Sequence, residues 1–256
     1  MEYVEAAEAR HRPGLRLALT VGVPGPWSEA AKYVFAYKGL EYLPVAQYAS
    51  EPNADLVAWT GCRNAPVAVW EDEPGKSSWA DIITMAERLQ PARPLLPAAG
   101  ADRVLAWGLT AEMAAETGFG WTRRLTMRAV PLPEGVPAPR MNREVMAKAY
   151  GASPEQMAGA SERLAEILRT LAGQLHAQRA RGSDYFVGDG VTAPDLYWAA
   201  FSQMLEPMPH ELNPMPEWLR VRYAGLDEIT AGAKDPILLE HRDRIFQRHL
   251  TLPLTY

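Results

Sequence analysis

The chain has 256 residues, 48% hydrophobic and 22% charged, the composition of a globular protein rather than a disordered one. Its 26 basic and 31 acidic side chains give a formal net charge of −5, which argues against nucleic acid as the main partner. Cys62 is the only cysteine, which excludes an intrachain disulfide or a thiolate metal cluster and fits a reducing cytoplasm.

Residues 1–14 form a polar, charged extension without the apolar core of a secretory signal. No apolar run approaches the ~20 residues that a membrane-spanning helix needs, so a cytoplasmic protein without membrane contact is expected. Leu15, Leu17, Leu19 and Val21 then alternate with Arg16, Ala18 and Thr20, the period of a strand. Gly22-Val23-Pro24-Gly25-Pro26 ends it, with Pro26 suited to the first position of a helix. Trp27, Ala30, Ala31, Val34 and Phe35 recur at helical spacing, and Lys38-Gly39 supplies a basic last turn and a glycine stop. A second strand is expected over Tyr42 to Gln47, at a sheet edge because of Pro44. Glu51 to Thr60 reads as a weak helix or a loop.

Asn64-Ala65-Pro66-Val67-Ala68-Val69-Trp70 places a proline directly before a short apolar strand. An acidic Pro-Gly turn follows, and Ser77-Ser78 opens an amphipathic helix with Ile82, Met85, Ala86 and Leu89 on one face. X-Pro is the one bond at which a cis peptide costs only about 0.5–1 kcal/mol. A cis Ala65-Pro66 bond would turn the Ala65 N–H and C=O outward to pair with an extended ligand. Ser78 would stand close by, at the positive end of a helix.

Residues 15–90 thus read as a small α/β domain, and the proline-rich residues 91–100 as a linker. Residues 101–256 read as all-helical, with helices over Ala101–Thr117, Pro154–Arg181, Thr192–Glu206 and Asp235–Leu250. Gly118 to Arg140, with Trp121-Thr122-Arg123-Arg124 and four prolines, is expected to be an irregular insert. The tail from Pro207 to Tyr256 is expected to wrap the helices. His241 and Arg242 are placed on a solvated helix face, and no histidine has metal-ligand spacing with a partner acid.

This order resembles the glutathione S-transferase superfamily. Lys38-Gly39-Leu40-Glu41-Tyr42 looks like the end of that family's first helix, and Asn64 to Val69 like its cis-proline strand. Tyr185-Phe186-Val187-Gly188-Asp189-Gly190-Val191-Thr192-Ala193-Pro194-Asp195 looks like the turn and capping box that open its buried central helix. In that box the Asp195 carboxylate reaches back to the Thr192 N–H, a structural role. The resemblance covers about residues 15–206. It implies a thioredoxin-like N-terminal domain followed by an all-helical C-terminal domain, a homodimer, and bound glutathione with no metal.

The chemistry that the resemblance implies is conversion of the glutathione thiol, pKa near ~8.5, to a thiolate that attacks an electrophile. The hydroxyls that usually assist are absent: the tyrosine position falls near Val21, the serine position at Gly25 and the cysteine position at Trp27. Ser28 is the hydroxyl left at the helix start, with the backbone N–H of Trp27 beside it and Thr20 a weaker substitute; Ser28 can equally be a helix decoration. Ala65, Pro66, Ser77 and Ser78 are the binding candidates, Ala65 for the peptide backbone and Ser78 for a carboxylate, although Ser78 can also be a plain helix cap. Trp107 and Met113 are candidates for a second-substrate pocket, and Arg123-Arg124 for an anionic group, against ordinary core and surface roles.

A glutathione transferase-like enzyme performing conjugation or addition–elimination on a small electrophile is the leading expectation. Reductase chemistry would want a cysteine at Gly25-Pro26-Trp27-Ser28. The alternative is a protein of the same fold that binds glutathione or a partner without turnover.

Overall fold

The computed structural model describes residues 1–137 and 153–256, the side chains of 154 and 155 excepted. Three strands, β1 (Leu15–Thr20), β2 (Leu43–Gln47) and β3 (Val67–Trp70), form a sheet in the order β2-β1-β3. β1 runs parallel to β2 and antiparallel to β3. Pro44 thus lies on an edge strand, where its missing N–H is tolerated. The alternation in β1 sorts its side chains onto two faces, both covered. Leu15, Leu17 and Leu19 pack with Ala30, Val34, Ile82 and Ile83, from helices α2 (Pro26–Lys38) and α4 (Trp79–Leu89). Ala18 packs with Val45, Val67, Ala6, Ala9 and Leu56, the last three from α1 (Ala6–Ala9) and α3 (Ala54–Thr60). Arg16, on that second face, is buried because its guanidinium donates to the carbonyls of Arg12 and Glu71 and lies over the Trp59 ring.

The stretch before β1 is built into this layer. Val4 bonds to both neighbours on β2, through Val4 N–H to the Pro44 carbonyl (3.0 Å) and Ala46 N–H to the Val4 carbonyl (2.9 Å). That pairing blunts an edge strand that would otherwise present free backbone groups. Helix α2 ends at Gly39, whose φ of 69° suits glycine and lets Leu40 N–H bond the Phe35 carbonyl.

Beyond Gln90 the chain runs without regular structure to Ala99, anchored by Leu95, whose carbonyl accepts the Ala193 N–H (2.8 Å). Helices follow: α5 (Gly100–Ala114), α6 (Phe119–Thr126), α7 (Pro154–Ala158), α8 (Ala160–Ala180), α9 (Ala193–Phe201), α10 (Glu217–Ala224), α11 (Glu228–Gly232) and α12 (Pro236–His249). Among the described residues no strand follows Trp70. All nine residues of α9 are buried, and the capping box opens it: Asp195 accepts the Thr192 N–H at 2.7 Å.

Three expectations need correction. The segment after Gly118 is not irregular from its start: it opens as α6 and a 3₁₀ turn, Met127–Ala129, because Phe119, Thr122, Arg123 and Leu125 present one buried face. Residues 138–140 of the expected insert lie outside the described residues. The helix expected over 154–181 is broken at Gly159. His241 and Arg242 are buried rather than solvated, since α12 lies across α9 and α8 with that face inward. The tail also reaches further than the helices: Thr255 accepts from Lys32 of α2 (2.7 Å), and Tyr33 of α2 meets Phe246 edge-on.

Candidate functional site

Register brings three segments to one end of the sheet. Ala18 lies opposite Val67, so the antiparallel course carries Pro66 and Ala65 alongside Leu19 and Thr20, where β1 gives way to α2. Ala68 and Lys76 exchange both backbone hydrogen bonds at 2.8 Å. That bridge is the remnant of a hairpin's return strand, and it folds Ser77 and Ser78 back beside Val67 and Pro66. The Ala65–Pro66 peptide bond is cis, Pro66 is buried, and Ala65 is half-buried just ahead of the β3 ladder. Ser78 is the N-cap of α4, its hydroxyl accepting from the N–H groups of Ala80 (3.2 Å) and Asp81 (3.5 Å). Ser77 and Ser78 are both exposed.

The start of α2 is the third segment. Gly25 is its N-cap, Pro26 its first residue, and the helical ladder begins with Glu29 N–H to the Gly25 carbonyl (2.9 Å). The N–H groups of Trp27 and Ser28 therefore lie ahead of the ladder, in the partial positive charge of the helix end. Ser28 is only 3% exposed. The Trp27 side chain turns toward the helices. Its Nε1 donates to the Ala114 carbonyl (2.8 Å), its ring meets Phe201 edge-on at 5.0 Å, and Arg124 lies over its face. Thr20 donates to Gln47 (2.7 Å), and Tyr33 is buried beside Glu29.

The remaining candidates divide. Trp107 is half-buried against Trp79 (centroids 5.6 Å), the first residue of α4, so it stands next to Ser78. Met113 is 0% exposed and belongs to the core. Arg123 is buried and donates to the carbonyls of Met204, Arg222, Tyr223 and Gly225. Cys62 is half-buried, held by a bond from its N–H to Thr60. A broad depression of about 600 Å³ opens beside Gly22, lined by His210, Met215, Leu254 and Tyr256 and by neither Trp107 nor Met113. Among the described residues no group of His, Cys, Asp and Glu could hold a metal ion, and no helix is long and apolar enough to cross a membrane. Gly120 and Phe201, which pack against Trp27, carry no signal in the sequence. Both are set by contacts between helices far apart in the chain, and no local spacing signals them.

No family model matches the chain, and no curated protein matches it. Solved structures do. A glutathione S-transferase of Methylobacterium radiotolerans in complex with glutathione sulfonate superposes with a TM-score of 0.62 at 19% identity, over 94% of this chain and 97% of that one. A glutathione transferase homologue from Sulfitobacter with bound glutathione gives 0.59 at 16% identity, over 93% and 94%. A glutathione S-transferase of Xanthobacter autotrophicus gives 0.58 at 18% identity, over 93% and 96%. The thioredoxin-like α/β unit and the helices that follow it are thus, along more than nine-tenths of the chain, the fold of the glutathione S-transferases.

Proposed function

We propose that the protein binds glutathione and activates its thiol for attack on a small electrophile, by conjugation or addition–elimination. The observation that carries this reading is the meeting of Ala65 and Pro66, the Ser78 cap and the start of α2 at one end of the sheet. On this reading Ala65 pairs with the backbone of the tripeptide beside Pro66, and Ser77 and Ser78 receive its γ-glutamyl carboxylate at the N-terminus of α4. The sulfur rests at the N-terminus of α2, against the Trp27 and Ser28 N–H groups and the Ser28 hydroxyl. Trp107 borders the second substrate, and Met113 supports that wall from behind. The same reading makes residues 15–90 the glutathione-binding domain of a cytoplasmic homodimer with a role in detoxification.

Either group is strong enough to activate the thiol. Lowering a thiol pKa from ~8.5 to ~7 takes about 2 kcal/mol at 1.36 kcal/mol per unit. A partly buried helix terminus supplies up to ~2 kcal/mol, and one hydrogen bond to a charged acceptor about 1.5–3 kcal/mol. The backbone groups and the Ser28 hydroxyl are therefore of similar weight on this reading.

The test titrates glutathione by calorimetry while thiolate absorbance and conjugation of 1-chloro-2,4-dinitrobenzene are followed. Binding with a lowered thiol pKa and turnover is expected. No binding at millimolar glutathione would end the reading. Ser28→Ala should lower turnover by about tenfold or more, the loss of a hydrogen bond to a charged acceptor, with binding little changed. The near-complete burial of Ser28 favours a second reading, a protein that binds glutathione or a partner without turnover. Binding with an unshifted thiol pKa would select it.

A further inference from the structure

An unbroken run of aromatic rings joins the start of α4 to the start of α2. Trp79, the first residue of α4, meets Tyr197 of α9 edge-on, with 6.3 Å between centroids. One helical turn on, Phe201 stacks on Tyr197 at 6.1 Å and meets Trp27, the second residue of α2, edge-on at 5.0 Å. A hydrogen bond pins each end of the run. The Tyr197 hydroxyl donates to the Trp79 carbonyl (3.1 Å), and Trp27 Nε1 donates to the Ala114 carbonyl (2.8 Å). Gly120 of α6 closes on the Trp27–Phe201 contact, where a β-carbon would overlap the Phe201 ring. Tyr197 and Phe201 are buried, as is the whole of α9. Burial raises the Tyr197 pKa, so its hydroxyl stays protonated and remains a donor.

We propose that Tyr197 is a positioning residue: its bond to the Trp79 carbonyl fixes the start of α4 relative to the start of α2, so that a carboxylate held at Ser78 sets the sulfur against the Trp27 and Ser28 N–H groups. The inference rests on the glutathione reading above, in which these two helix ends take the two ends of one ligand. Ser78 directly precedes Trp79, so a shift of the Trp79 carbonyl carries the cap, and with it the carboxylate site. The sulfur is tethered to that carboxylate through the γ-glutamyl arm, so it moves off its donors when the carboxylate site moves. Placement errors of about 1 Å are enough to weaken such an arrangement.

The experiment compares the wild type with Tyr197→Phe, which keeps the ring contacts and removes the hydroxyl alone. Absorbance gives the thiolate-to-thiol ratio of glutathione bound at saturation, and calorimetry gives the affinity for S-methylglutathione, which has the peptide but no thiol. The ratio at neutral pH should fall about fivefold in Tyr197→Phe, the size of one neutral hydrogen bond, with S-methylglutathione affinity little changed. Lower stability alone alters how much protein is folded and leaves the ionisation of a thiol already bound as it was, so the ratio separates positioning from packing. A ratio equal to that of the wild type overturns the role of Tyr197 and spares the glutathione reading. A wild-type ratio no higher than that of free glutathione also overturns it, and selects binding without turnover. A wild-type protein that binds neither glutathione nor S-methylglutathione overturns both.

Discussion

His241 Nε2 lies 3.1 Å from Asp195 Oδ1 with both side chains wholly buried, close enough for an ion pair yet off the line of a hydrogen bond. Asp195 also accepts the N–H groups of Thr192 (2.7 Å) and Phe186 (2.9 Å) and the Thr192 hydroxyl (2.7 Å). The other ring nitrogen of His241 is 3.1 Å from the Asp184 carbonyl. One carboxylate thus joins the turn before α9, the start of α9 and the middle of α12. Replacing Asp195 by Ala leaves two buried N–H groups and the Thr192 hydroxyl without their acceptor. A loss of about 3–5 kcal/mol, from several stranded donors at about 1–3 kcal/mol each, is expected in urea denaturation. A loss under about 1 kcal/mol would show that the turn holds without the carboxylate.

Arg123 should matter to the stability of the fold. Arg123 supplies donors to Met204 (3.0 Å), Arg222 (2.9 Å), Tyr223 (3.1 Å) and Gly225, joining α6 to the turn after α9 and to the C-terminal end of α10. Burial lowers its pKa, but the group stays charged at neutral pH. Arg123→Ala strands several buried carbonyls at about 1–3 kcal/mol each, so a total loss of about 3–5 kcal/mol is expected. A loss under about 1 kcal/mol in urea denaturation would contradict this structural role.

Glu29 and Lys32 form a buried pair, 2.9 Å apart, one turn into α2. Burial is the main cause that raises the Glu29 pKa above the ordinary carboxylate value, and Lys32 opposes it. A raised folded pKa means that the folded state holds its proton longer than the unfolded one. Stability from this group is therefore greatest at low pH and falls as pH climbs through the raised value. Glu29→Gln should abolish that fall, seen by comparing denaturation of both proteins across the acid range. A fall of the same size in Glu29→Gln would assign it to another group.

The fold was readable in the sequence where local rules decide it. Alternation in Leu15 to Thr20, the Lys38-Gly39 stop, the Ala65-Pro66 bend and the Thr192 capping box each depend on a few neighbouring residues, and each appears in its place. His241 and Arg242 were misread because a polar pair on a helix looks solvated until the partner helix that buries it is known. The α6 helix was hidden by the prolines that follow it. On the proposed reading, the peptide-binding side lies within one stretch, Asn64 to Asp81, where local rules apply. The surroundings of Trp27 are assembled from α2, α5, α6 and α9, so they emerge only from packing.

Ser78 has two duties on the proposed reading, and substitution can part them. Its hydroxyl caps α4 through Ala80 and Asp81, a contribution of about 0.5–2 kcal/mol. It also receives the ligand's carboxylate. Ser78→Ala should therefore weaken both the fold, by about 1 kcal/mol, and glutathione binding. Ser78→Asp keeps a good N-cap, and its negative charge suits the helix end, so thermal stability should stay at the wild-type level. The same charge repels the incoming carboxylate and occupies its donors. Glutathione affinity measured by calorimetry should drop about tenfold or more for Ser78→Asp, from loss of a charge-assisted bond. If Ser78→Asp binds as the wild type does, Ser78 is a cap alone and the γ-glutamyl end lies elsewhere.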